Sequence, residues 1–185
     1  YIPITPVPFT LQVFPVLLAG AVLGKYYGGA SQVIYLSMGL SGLPVFANFQ
    51  GGYAVLLGPT AGYIIGFVLA AFVVGHLIHS RQNARSTPRI LLAMSAGIGI
   101  IYLFGAGYLA LLFGLGVREA FVMGVLPFIV MDLLKIAAAA GIARAALPGS
   151  RHRRATPMPA LRSRISPATP TATSTEPRKI LPSST

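Results

Sequence analysis

Asp132 and Lys135 stand three residues apart in PFIVMDLLKIAAAA, a run from Pro127 to Ala140 otherwise built of Phe, Ile, Val, Met, Leu and Ala. On a helix, residues at i and i+3 share one face. A carboxylate only accepts hydrogen bonds and an ammonium only donates them, so together they can serve a polar molecule carrying both kinds of group. An ionisable side chain inside a membrane span costs about 2.5–3.5 kcal/mol and usually turns toward the bundle interior or a cavity. The residues alone leave two readings open: a polar binding site, or an ion pair that locks helices together. A second candidate stretch is NFQGGYAVLLGPTAG, residues 48–62, with Asn48, Gln50 and Tyr53 among Gly51, Gly52, Gly58 and Gly62. Glycines permit tight backbone paths and close approach of a ligand; the plainer reading is a turn-rich connection. GPTAG lacks the Gly-Lys-Ser/Thr ending of a phosphate loop, so the chain shows no nucleotide-hydrolysing motif of its own. Glu119 and Asp132 are the only acids before the C-terminal tail, cysteine is absent, and the three histidines form no ligand-like cluster. No catalytic apparatus, metal site or cofactor is expected.

These residues must be held by helices in a membrane. The chain is 55% hydrophobic and 9% charged over 185 residues, against about 25% charged in soluble domains. Apolar runs cover residues 9–24, 30–47, 61–78, 90–117 and 121–147, and a bilayer span needs about 20 mostly apolar residues. The runs do not alternate as barrel strands would. The expectation is an all-α membrane protein, a helical bundle embedded in the lipid bilayer. Five spans are expected: 9–24, 30–46, 63–78, 90–113 and 129–147. The expected connections are a turn at 25–29 and a polar-tipped crossing at 114–128. The chain opens as YIPITPVPFT, with no initiator Met and no signal-peptide pattern, and is read as lacking a first helix. Small residues at helical spacing, Gly20 and Gly24, then Gly62, Gly66 and Ala70, suit close helix packing.

The net charge of +11 invites a nucleic-acid reading, but its placement opposes one. Eight of the 14 basic residues lie from Arg144 onward, and Arg81, Arg85 and Arg89 share one short loop. Lys and Arg crowd the cytoplasmic ends of spans. That puts the 79–89 loop, Lys25 and the C-terminus inside, and residues 48–62 with Arg118 and Glu119 outside. Residues 1–147 are therefore expected to form the transmembrane domain, the part to which any substrate-binding role of Asp132 and Lys135 would belong. From Pro148 on, Pro, Ser, Thr and Arg dominate, a composition expected to stay disordered; contact with anionic lipid is the lesser alternative.

Three motifs carry a resemblance. PVPFTLQ at 6–12, GLPVFANFQGGYAVLLGPTAGYIIGF at 42–67 and LPFIVMDLLK at 126–135 resemble, in the same order, those of the BioY family, the biotin-binding S components of energy-coupling factor (ECF) transporters. The resemblance covers about residues 3–147. It implies a six-helix fold with an extracytoplasmic pocket, of which five spans are visible here. It also implies biotin as substrate, and a transmembrane coupling subunit and ATPase subunits as partners in the cytoplasmic membrane. In the family an Asp and a Lys at the start of the last helix bind substrate, matching Asp132 and Lys135, and an Asn before the Gly-Pro-Thr motif matches Asn48. Gln12, Gly52 and Tyr63 match motif positions near the site. On this reading the carboxylate accepts from the ureido N–H groups of biotin and the ammonium donates to its carbonyl. Three departures stand out: the first helix is not seen in this sequence, PFIVMD stands where the family often has PFLPGD, and the tail is longer and more basic. The rival readings are an S component for another vitamin, or a membrane scaffold whose glycine-rich faces serve assembly.

Overall fold

The structure, a computed structural model, describes residues 7–80 and 86–147. Arg81 and Arg85 of the basic loop, the first six residues and the tail from Pro148 lie outside the described residues. Every regular element among the described residues is helical: α1 (Val13–Leu40), α2 (Ala61–His79), α3 (Thr87–Phe113), α4 (Val117–Gly124) and α5 (Ile129–Ala146). Short 3-10 turns at Ala47–Phe49, Tyr53–Leu57 and Leu126–Phe128 join them. Four helical stretches are long and apolar enough to cross a membrane: α1, α2, α3, and α4 with α5 taken together.

The count is four rather than five because the helical parts of the expected spans 9–24 and 30–46 are joined in α1. They remain two arms. Gly24 has φ 80° and ψ −179°, outside the helical region, and the chain folds back there. Gln12 Nε2 donates to Tyr35 Oη at 2.6 Å across this fold, whereas residues 23 apart in a straight helix are separated by about 34 Å. A Cβ on Gly28 would lie 2.8 Å from the Gly20 Cα, so the arms touch through glycines. The expected turn at 25–29 is thus confined to Gly24, the residue that tolerates this φ without steric cost, and residues 25–29 are helical. Ala21 O, near the end of the first arm, accepts a hydrogen bond from His79 Nε2 at 2.8 Å.

The first helix also starts later than expected, at Val13, because the residues before it are tied elsewhere. The Phe9 ring packs on Phe128 with centroids 4.7 Å apart, and Thr10 O is taken by Lys135. At the other end of α1, Gly42 has φ 102° and Pro44 follows, ending the helix at Leu40 rather than Phe46.

Helix α2 lies between α1 and α3, and α5 packs against both. The close approaches are made by the small residues. A Cβ on Gly75 would strike the Gly24–Lys25 backbone, and one on Gly62 would strike Phe104 and Tyr108. Lipid supplies no hydrophobic drive for helix association, so close van der Waals packing has to do it. One apolar cluster joins Leu17, Val74, Ile78, Ile90, Met94, Ala139 and Ala143. A second joins Val16, Phe46, Tyr63, Ile64, Phe67, Ile101, Leu109 and Phe128, and this one surrounds the polar groups described next.

Candidate substrate-binding site

Asp132 and Lys135 lie in the first two turns of α5, 3% and 8% exposed. Lys135 Nζ donates to Asp132 Oδ1 at 2.8 Å and to Thr10 O at 2.7 Å. Tyr102, midway along α3, donates its hydroxyl to Asp132 Oδ2 at 2.6 Å. Both carboxylate oxygens are therefore engaged, one by a cation and one by a phenol. The result is a charge-balanced cluster contributed by α3, α5 and the segment ahead of α1. No buried side-chain polar atom among the described residues lacks a partner.

This cluster forms one wall of a cavity lined also by Val7, Gln12, Tyr63, Phe67, Ile101 and Phe128. Much of the remaining lining is apolar. Gln12 is held at the edge of the cavity by its bond to Tyr35 Oη, which itself donates to Val45 O at 2.9 Å. Tyr63 lines the cavity with its ring, while its hydroxyl donates to Gly124 O at 2.7 Å. That bond ties the start of α2 to the turn that aims α5.

Asn48 borders a second, adjoining cavity, together with Gln50, Gly51 and Pro59. Pro8, Gln12, Ala47, Thr60 and Ile64 line both cavities. Asn48 and Phe49 take left-handed backbone with φ 57° and 56°, which Asn adopts readily and a bulky aromatic rarely does. The surrounding loop is bolted down by Tyr108 Oη donating to Leu56 O at 2.8 Å and by Gly52 N–H donating to Gly39 O at 2.7 Å. Of the residues singled out from the sequence, the structure brings Asp132, Lys135, Tyr63 and Gln12 to one cavity and Asn48 to its neighbour. Gly52 lines neither; with φ 87°, it serves the path of the loop. Tyr102 and the Thr10 carbonyl were not foreseen. Tyr102 sits in an apolar helix with no local signal, and a backbone carbonyl has no sequence signature at all.

The BioY family model matches residues 1–152. The biotin transporter BioY of Thermotoga maritima is 47% identical over 142 residues, which is 77% of this chain and 82% of the relative. A probable biotin transporter BioY of Pyrococcus horikoshii is 49% identical over 140 residues, 76% of this chain and 80% of the relative. Among solved structures, the S-component for biotin from an ECF-type ABC transporter aligns with a TM-score of 0.70 at 28% identity, covering 80% of each chain. With the family model matched from the first residue to the end of the last helix, the chain belongs to the BioY family.

Proposed function

We propose that this chain is the membrane-embedded, biotin-binding subunit of an ECF-type uptake system. The observation that carries the proposal is the Asp132–Lys135–Tyr102 cluster on the wall of a largely apolar cavity. Biotin fits this chemistry. Its ureido group has two N–H donors and one carbonyl acceptor and no net charge, and its fused ring system is otherwise apolar. The Asp132 carboxylate receives the N–H groups and the Lys135 ammonium donates to the carbonyl, with Tyr102 holding the carboxylate in place. Charge-assisted bonds of this kind are roughly twice as strong as neutral ones. The names of the T. maritima relative and of the solved S-component support biotin as the ligand.

Further parts of the reading rest on charge and composition. The end of the bundle with Lys25, His79 and Arg89 faces the cytoplasm, following the crowding of basic residues there, and the cavity opens on the other side. The C-terminal residues 148–185 are then cytoplasmic and take no part in binding. No step here needs catalysis by this chain. Concentrative uptake draws on ATPase subunits reached through a transmembrane coupling subunit.

The test is direct. Purified protein in detergent or nanodiscs is titrated with labelled biotin, then challenged with a panel of other vitamins. Saturable binding displaced by biotin alone is expected. Tighter binding of another vitamin, or no saturable binding, would overturn the assignment.

A further inference from the structure

The two adjoining cavities differ in kind. The inner one holds both charges of the site, and they balance. The outer one has no ionisable side chain among the described residues that line it. Its polar side chains are the amides of Gln12, Asn48 and Gln50 and the hydroxyl of Thr60, and Asn48 and Gln50 are exposed. Because Gln12, Ala47, Thr60 and Ile64 border both cavities, one elongated molecule can extend from the first into the second.

Biotin is such a molecule, a compact ureido ring system with a flexible acid arm. In the inner cavity the charges of Asp132 and Lys135 cancel, and on the reading above both are taken by the ureido group. With the ring system inside, the arm runs outward to the neutral groups. Amides and hydroxyls both donate and accept, so they can satisfy a carboxylate, a carboxamide or an ester carbonyl. No fixed cation there rewards the negative charge, and the exposed position leaves the acid partly hydrated.

We propose that the outer cavity is a subsite for the acyl arm that is blind to its charge, so that this chain binds neutral biotin esters and amides nearly as well as the free acid. The inference rests on the biotin reading above and adds to it a substrate class, acids and their neutral acyl derivatives.

The experiment is competition against labelled biotin, using the purified full chain and unlabelled biotin, biotin methyl ester and biotinamide. The two neutral compounds are expected to compete within about fivefold of biotin, a difference of less than one decade in affinity. A second arm uses Gln50→Lys, which places a cation beside the proposed arm. It should favour the acid over the ester by about two- to fivefold relative to the parent, the scale of an exposed ion pair. If biotin binds while the ester and amide are more than about fiftyfold weaker, the subsite selects for charge and this inference fails alone. An unchanged acid-to-ester ratio in Gln50→Lys would place the arm elsewhere and also overturn it. If biotin itself does not bind, the functional reading falls and takes this inference with it.

Discussion

The two ends of the bundle solve the same problem in opposite ways. At the end around Leu17, Ile78, Ile90 and Ala143, the helices are regular except for the reversal at Gly24, and the buried side chains of the core are apolar. Contact is made by glycine and alanine faces. Polar contacts there include His79 at Ala21 O, and Arg89 Nε at Leu77 O, 2.7 Å away. At the site end, α1 stops short, two 3-10 turns follow, and α5 begins from a third. Backbone freed from helices within a membrane must find partners inside the protein or beside water. Here tyrosines supply several of them: Tyr35 to Val45 O, Tyr63 to Gly124 O and Tyr108 to Leu56 O. A tyrosine keeps its ring in apolar packing while its hydroxyl reaches a carbonyl. At the site end irregular backbone, polar cross-ties and cavities therefore occur together, whereas the other end, with one glycine reversal and the cross-ties of His79 and Arg89, is a closely packed base.

The largest effect should come from disrupting the packed base. Gly75→Leu drives a side chain into the Gly24–Lys25 backbone, where no flexible neighbour can yield. Overpacking typically costs about 1–3 kcal/mol and more where backbone must move. Gly75→Leu is expected to lose monodisperse protein on size-exclusion chromatography. Gly99→Leu, with nothing within 4 Å of the added Cβ, should behave as the parent. Equal behaviour of the two variants would remove the distinction between a packed base and a tied site.

Next in size is Asp132→Asn. It keeps the shape but removes the charge facing Lys135, and a charged hydrogen bond contributes about 1.5–3 kcal/mol. Biotin affinity should fall by about one to two orders of magnitude. Because Lys135 is 8% exposed and loses its counter-charge, the melting temperature should also drop, a cost that the sequence alone did not suggest. Affinity equal to the parent would dismiss the role given to Asp132.

Tyr102→Phe probes the same cluster through α3. Losing one hydrogen bond to the carboxylate should weaken biotin binding by about five- to tenfold, near 1 kcal/mol. Made in the Asp132→Asn background, the same change should cost much less, since coupled residues are not additive. Full additivity in that double-mutant cycle would show that Tyr102 does not act through Asp132. The smallest effect should be that of deleting residues 148–185, for which we expect unchanged biotin affinity in protein that still inserts. A loss there would mean that the tail contributes to the site.

Much of the candidate site is legible in the sequence because its members break a local rule. An Asp and a Lys in an apolar helix are costly, and that alone selects Asp132 and Lys135. The glycine-rich stretch at 48–62 is irregular by composition, and the structure does build turns and the rim of a cavity there. Other parts had no such mark. The Gly24 reversal was expected as a five-residue turn, because Lys25, Tyr26, Tyr27, Gly28 and Gly29 look interfacial. The structure instead keeps those residues helical and uses one glycine. Gly52 looked like a site residue because it sits in the motif, yet its N–H and its φ serve the loop.

The sequence by itself determined that this is a helical membrane protein with charges held where they are expensive, since hydropathy and the rarity of buried ionisable groups are properties of the residues. It also sufficed for the family, through three motifs in order. Only the tertiary structure decided that Tyr102 reaches Asp132 across 30 positions. The same holds for the Thr10 carbonyl, 125 positions from the Lys135 that it meets, and for Asn48, which borders the cavity beside the charged one. The physical reason is that such pairings depend on how α3, α5 and the segment ahead of α1 converge. That convergence is set by close packing at small residues such as Gly62 and Gly75, and by no feature of the paired residues themselves.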